Sequence, residues 1–254
     1  MSFPAPNSFT SLEELAQGCL LLIDKPLGYT SFDVLNRIKG FVRNNFSIAP
    51  NEHGHEQRFK IGHAGTLDPL ATGLLVVCTG KYTKRIDEFQ GGEKEYTGII
   101  TFGQTTPSYD LETTPEGNYP TAHITRESLE QAAMTFVGEI WQKPPIYSAK
   151  QVDGKRAYHA ARKGQTIIMA AVPIVVDAFE ITSFDLPHAA FRIRCSKGTY
   201  IRSIAHDVGQ KLDSGSHLSE LRRTRSRPFD VTDALTLPQL MEKLQQMTTL
   251  PLQP

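Results

Sequence analysis

The sequence lacks a long apolar run, a disulfide framework and a net charge. Its longest nearly apolar stretch, Ile167 to Val176, falls well short of the ~20 residues a helix needs to cross a bilayer. Met1 to Thr10 carries no Lys or Arg ahead of an apolar segment. The charged start of a secretory signal is therefore missing, and a cytoplasmic protein is expected. Cysteine is scarce: Cys19, Cys78 and Cys195 are odd in number and far apart, which supports neither paired disulfides nor a zinc spacing and predicts three buried small side chains. No Gly-x-Ser-x-Gly elbow or His-Glu-x-x-His helix occurs, which counts against ordinary hydrolases and metalloenzymes. His53, His55 and His63 are near neighbours, but no carboxylate or cysteine completes a metal-binding pattern with them.

What is present is an ordinary globular composition. With 254 residues, 39% of them hydrophobic and 21% charged, the chain can bury roughly 70% of its unfolded surface without disulfides or metal. The zero net charge hides a separation. Between residues 143 and 163 six Lys and Arg stand against Asp153 alone, and from Arg192 to Arg227 nine stand against three acids. The rest of the chain is correspondingly acidic. Such separation offers a positive face to a phosphate backbone, although two merely solvated faces would read the same way.

No internal repeat is evident, and strands and helices are mixed irregularly. Ser11 with Glu14 predicts a capping box for a short helix, and Leu20 to Ile23 and Leu74 to Cys78 read as buried strands. Phe32, Leu35, Ile38 and Val42 recur at helical spacing behind a possible cap, Ser31, giving a helix that ends near Arg43 ahead of a polar loop. Alternation predicts strands around Tyr96 to Phe102 and Phe191 to Cys195, the latter with arginines on one side. Helical faces follow from Leu129, Ala132, Ala133, Phe136 and Val137, and from Ile201, Ile204, Ala205, Val208 and Leu212. Thr236 and Gln239 form a possible capping box for a last helix. The fold class expected is α+β with a mixed, largely antiparallel sheet.

The densest punctuation runs from Gly62 to Gly73, Gly-His-Ala-Gly-Thr-Leu-Asp-Pro-Leu-Ala-Thr-Gly. Glycines permit close backbone approach, and Pro69 biases Asp68 towards an extended conformation, so the carboxylate could stand at the tip of a rigid loop. Composition does not separate this from a plain Asp-Pro turn. A phosphate loop is a poor fit, because no Gly-Lys-Ser/Thr follows.

Lys60 to Gly73 resembles the catalytic-loop motif of the TruB family of tRNA pseudouridine synthases. Further matches follow the family's order. Leu22-Ile23-Asp24-Lys25-Pro26 resembles its first motif and Lys94-Glu95-Tyr96 its tyrosine motif. Lys143 to Ala149 with Gly154 to Tyr158 resembles its RNA-gripping insertion, Gly198 to Ser203 its third motif, and Leu221-Arg222-Arg223 the strand that closes the pocket. The resemblance implies a pseudouridine synthase fold with flanking helices and a central catalytic cleft. It implies an N-terminal extension over 1–19, a catalytic domain over 20–235 with the insertion at about 143–166, and a short C-terminal helix and tail over 236–254. Many bacterial members carry a C-terminal RNA-binding PUA domain; with 25 residues after Phe229, none is expected here.

The implied reaction detaches uracil from its ribose at N1 and rejoins it through C5, on the T-loop uridine (position 55) of tRNA. It is redox-neutral, and the family uses neither cofactor nor metal. Asp68 matches the catalytic aspartate, whether as nucleophile or as base. Tyr96 matches the aromatic that stacks on the extruded base; a core strand tyrosine is the plain alternative. His63 matches the residue that fills the vacated space in the RNA, or is simply packed in its loop. Arg202 matches the arginine paired with the catalytic aspartate, Tyr200 a pocket residue on the base, Leu221 an apolar wall, and Lys25 a support of the pocket. Lys155, Arg156 and Arg162 fall in the insertion that grips RNA. The expected partner is the T-arm stem-loop of tRNA, with no membrane, and the expected state is a monomer. An RNA chaperone without turnover, or a glycosidase using Asp68, are the competing classes; the latter would need a partner carboxylate that the neighbouring sequence does not offer.

Overall fold

The computed structural model describes residues 5–48, 58–147, 151–152, 155–156 and 169–249. Along the chain run α1 (Leu12–Gln17), β1 (Leu20–Lys25), α2 (Ser31–Asn45), β2 (Ile61–His63), β3 (Ala71–Thr79), α3 (Ile86–Gln90), β4 (Lys94–Phe102), α4 (Arg126–Met134) and β5 (Gly138–Gln142). There follow β6 (Gln151–Val152), β7 (Lys155–Arg156), β8 (Val172–Asp185), β9 (His188–Cys195), α5 (Ile201–Lys211), β10 (Ser216–Ser226), β11 (Phe229–Asp230), β12 (Leu235–Thr236) and α6 (Leu237–Thr249). Apart from the parallel β1–β12 pair, the strand registers described are antiparallel. The expected α+β class with a mixed, mostly antiparallel sheet is what the chain forms. No described helix is long and apolar enough to cross a membrane.

The chain divides into two compact units, residues 1–92 with 222–254, and residues 93–221. In the first, β1 and β3 pair from Leu20 opposite Cys78 to Lys25 opposite Gly73. Both strands are buried on two faces, which is why they read as continuous apolar runs rather than alternations. Leu20, Leu22, Leu74, Val76 and Cys78 pack with Phe89 and Phe229. Strand alternation sends Leu21 and Ile23 to the opposite face, and α6 packs against both β1 and α2.

The second unit orders its strands β4, β9, β8, β5. Phe179 contacts both Phe136 and Phe191 with ring centroids 6.4 and 5.8 Å apart. These edge contacts tie the residues following α4 to β8 and β9. In β9, Phe191, Ile193 and Cys195 are buried while Arg192 and Arg194 are exposed, as the alternation predicts. Arg192 meets Glu180 of β8 at 2.8 Å.

Several local readings are corrected. The cap of α2 is Thr30, whose side chain accepts from the Asp33 amide while Asp33 reaches back to the Thr30 amide, and the helix runs on to Asn45. Ser31 is the first helical residue and serves another purpose, described below. Ser11 does accept from the Glu14 amide at 3.1 Å, but the Glu14 carboxylate takes the Thr10 amide at 2.7 Å, one residue earlier than a regular box. Helix α4 stops at Met134, so Val137 lies beyond it and is exposed. Cys78 and Cys195 are buried, whereas Cys19 is only half-buried. The Thr236–Gln239 box forms as read, with the Gln239 amide donating to the Thr236 hydroxyl at 3.3 Å and the Gln239 side chain accepting from the Thr236 amide at 2.9 Å.

Candidate active site

Asp68 stands in the first unit on a loop fastened at both of its neighbours. The loop leaves β2, which pairs with β3 from Ile61 opposite Thr79 to His63 opposite Val77, and Ala64 continues the ladder by donating to the Val76 carbonyl at 2.8 Å. Ser31 then grips Leu67 twice: its hydroxyl accepts from the Leu67 amide at 2.8 Å and donates to the Leu67 carbonyl at 3.1 Å. On the other side, the Pro69 carbonyl accepts from the Gly28 amide at 2.9 Å and from the Lys25 amine at 3.4 Å. The Asp68 carbonyl itself closes a turn with the Ala71 amide at 3.1 Å. This leaves the half-buried Asp68 side chain on a backbone with little freedom, the mount a single reactive carboxylate requires.

Lys25 lies under this loop with no exposed surface. Its amine donates to the Pro26 carbonyl at 3.0 Å and to the Tyr29 carbonyl. Burial pushes the amine down to about 8, against the pull of the Asp68 charge and with a smaller push from Arg223. Lys25 therefore supplies positive potential beneath Asp68 while holding three carbonyls in place.

Arg223, almost wholly buried, braces the loop from behind: it donates to the Leu74 carbonyl at 2.7 Å and to the Gly65 carbonyl at 3.1 Å. Gly73, with φ of 98°, lies so close to the Arg223 backbone that a Cβ there would collide with it. Burial and then the Arg223 charge hold the His63 imidazole below its ordinary value, and its Nδ1 has no hydrogen-bond partner among the described residues. Neighbouring Arg222 makes a two-pronged pair with Asp24 at 2.9 and 2.7 Å.

The second unit holds Tyr96, Tyr200, Arg202 and Leu221. Tyr96 is buried in β4 opposite Ile193, and Leu221 is half-buried in β10. Tyr200 caps α5, and its backbone is clamped by the buried Gln142, which accepts from its amide at 2.8 Å and donates to its carbonyl at 3.0 Å. Arg202, only 4% exposed, meets the Asp110 carboxylate at 3.4 Å. It also donates to the carbonyls of Ser108 at 3.2 Å and Tyr147 at 3.1 Å. A buried guanidinium needs such partners, because a lone charge in a dry interior costs roughly several kcal/mol. Ser203 adds a bond to the Lys143 carbonyl at 3.1 Å, so the start of α5 grips the base of the basic insertion.

Of that insertion, Lys155 and Arg156 lie on β7, whose backbone pairs with β6 through Gln151 opposite Arg156. Arg162 and Tyr158 lie outside the described residues. Among the described residues no three His, Cys, Asp or Glu gather as a metal site.

Three contributors escape sequence reading: Ser31, Arg223 as a brace, and Asp110. Ser31 reads as a helix cap, and Asp110 sits in a polar loop 92 residues before Arg202 with no local signal of its partner.

A model described as "TruB family pseudouridylate synthase (N terminal domain)" matches residues 53–201, and one described as "tRNA pseudouridylate synthase B C-terminal domain" matches residues 202–250. The chain belongs to the TruB family. A protein of Flavobacterium johnsoniae named tRNA pseudouridine synthase B is 50% identical over 92% of this chain and 99% of its own length. A relative of the same name in Phocaeicola vulgatus is 46% identical over 91% of this chain and 94% of its own. Among solved structures, a chain of a Cbf5-Nop10-Gar1 complex superposes with a TM-score of 0.66 at 28% identity, covering 90% of this chain and 54% of that one. A chain from an H/ACA RNP bound to a substrate RNA containing 2′-deoxyuridine gives 0.63 at 26% identity, over 90% of this chain and 53% of that one.

Proposed function

We propose that this protein isomerises the T-loop uridine of tRNA, position 55, to pseudouridine, with Asp68 as the catalytic group. The observation that carries the reading is the Asp68 loop, held at Leu67 by Ser31 and at Pro69 by Gly28 and Lys25, in a chain of the TruB family. The relatives' names support tRNA as the substrate.

In the reaction the bond from N1 to C1′ breaks, the uracil turns, and a bond from C5 to C1′ forms while the C5 hydrogen leaves as a proton. No electrons are gained or lost, so no redox cofactor is called for, and on the family resemblance we expect no metal. A carboxylate can serve by attack on the sugar or by taking a sugar proton. The uridine must first leave its stack, which costs a few kcal/mol (about) and has to be recovered by contacts to the flipped base. We assign those contacts to Tyr96, Tyr200 and Leu221, the vacated space to His63, and the support of the Asp68 loop to Lys25. Arg202 is the cation we pair with Asp68, on the strength of the family motif. Lys155, Arg156 and Arg162 take phosphates of the T-arm. We place the catalytic domain at residues 20–235, and expect a cytoplasmic monomer.

The test is release of tritium from C5-labelled tRNA transcript. Wild type is expected to release one label per tRNA, and Asp68→Asn to release none while binding RNA as tightly. Binding without release by both proteins would favour an RNA chaperone, and free uracil a glycosidase.

A further inference from the structure

Helix α5 carries Arg202 and His206 one turn apart, so the two side chains leave the same face. Both act on one short loop of the same unit. Arg202 holds the Ser108 carbonyl and the Asp110 carboxylate. His206 lies flat on the residue between them: its ring stacks on Tyr109 with centroids 4.0 Å apart and planes 14° apart. Tyr109 has a φ of 64°, a left-handed backbone that a bulky side chain adopts only when its surroundings hold it there.

The loop is further restrained by backbone and hydroxyl bonds and by the Asp110 carboxylate, which accepts from the Glu112 amide at 3.0 Å. The Tyr109 amide donates to the Thr106 carbonyl at 3.1 Å, and the Leu218 amide to the Tyr109 carbonyl at 2.9 Å. The Ser108 hydroxyl donates to the Asp110 carbonyl at 3.0 Å. They fix where the loop lies, whereas the ring stack opposes relaxation of Tyr109 to negative φ. That relaxation would turn the peptide joining Tyr109 to Asp110 and draw the carboxylate off Arg202.

We propose that His206 is a positioning residue for the reaction, acting through its stack on Tyr109 to hold Asp110 against Arg202. The proposal rests on the reading of Arg202 as an active-site cation. The role assigned to His206 runs through Tyr109 and involves no contact of its own with the reacting atoms. It supplies a flat ring at one place and a hydrogen bond to the Ser216 backbone, and burial outweighs that bond in keeping its imidazole below the ordinary value. A phenyl ring keeps the stack although it loses the Ser216 bond, and a branched aliphatic side chain of similar volume keeps neither.

The experiment compares wild type with His206→Leu and His206→Phe as full-length proteins, with His206→Ala as a third variant. The readouts are kcat and KM on tRNA, melting temperature, and hydrogen exchange at the Leu218 amide. In His206→Leu, kcat is expected to fall by about tenfold to a hundredfold, the range that small misplacements of a catalytic group produce, with KM within about twofold of wild type. Leu218 exchange is expected to quicken in the same variant. His206→Phe is expected to restore both. Normal kcat in His206→Leu, or a folded His206→Phe as slow as His206→Leu, overturns the proposal. If His206→Ala does not fold, the Leu and Phe variants still decide. If wild type leaves uridine unchanged, it is the proposed function that fails; Leu218 exchange then decides alone, faster exchange in Leu than in Phe supporting the positioning role and equal exchange overturning it.

Discussion

At the scale of single residues, the molecule spends its burial on charges that have partners. Arg202 has Asp110 and two carbonyls, Arg223 has the carbonyls of Leu74 and Gly65, and Lys25 has those of Pro26, Tyr29 and Pro69. At Asp207 burial outweighs the nearby charge, and the effect can be measured. Burial pushes its carboxyl up to about 6, with Lys143 opposing. Its ordinary value is near 3.8, so between these two values the folded state binds the proton that the unfolded state has lost. Its contribution to stability therefore falls as pH rises through that window. Asp207→Asn is expected to raise stability at pH 7 by about 1 kcal/mol after screening, and the gain is expected to vanish by pH 4. Denaturant titrations of both proteins at several pH values check this; a gain constant with pH would contradict it. None of this was legible in the sequence, where Asp207 is one of many acids and nothing marks it as desolvated.

At the scale of elements, patterns of two and of three to four residues located the strands and helices, while the details at their ends needed the fold. Thr30 and Ser31 are both good caps, so the sequence cannot choose between them. The structure gives the cap to Thr30 and turns Ser31 onto Leu67. Helix α2 thus doubles as the anchor of the Asp68 loop. Ser31→Ala removes two buried hydrogen bonds and leaves the Leu67 amide and carbonyl without them, at a cost of about 1–3 kcal/mol. The expected outcome is a lower melting temperature together with a fall in kcat of about tenfold or more, because the carboxylate loses its fixed approach. An unchanged kcat would show that Gly28 and Lys25 suffice to hold the loop. The glycines of the loop divide similarly: their crowding flagged it, but only the structure shows that Gly73 lies against the Arg223 backbone and that Gly65 has a φ of 110° that side chains rarely adopt.

At the scale of the whole molecule, neutrality is an average over unlike regions. The excess of cations between residues 143 and 163 suits a phosphate backbone, and Arg202 and Ser203 fasten the base of that insertion at Tyr147 and Lys143. Replacing Lys155, Arg156 and Arg162 together by Gln is expected to weaken tRNA binding. It is also expected to flatten the plot of log affinity against log salt by roughly 2–3 units of slope, since each lost phosphate contact removes about 0.7–0.9. Filter binding across a salt series checks it, and an unchanged slope would remove these residues from the interface.

The sequence by itself determined the α+β class, the buried strands β1 and β3, the exposed arginines of β9 and the Asp68 loop. These follow from local periodicity and from a motif whose residues lie side by side in the chain. Only the tertiary structure decided that Ser31 and Arg223 hold that loop, that Asp110 meets Arg202, and that His206 lies on Tyr109. These partners stand 36, 158, 92 and 97 residues apart in the chain, and bringing such pairs together is the work of the packed fold, on which local propensity has no bearing.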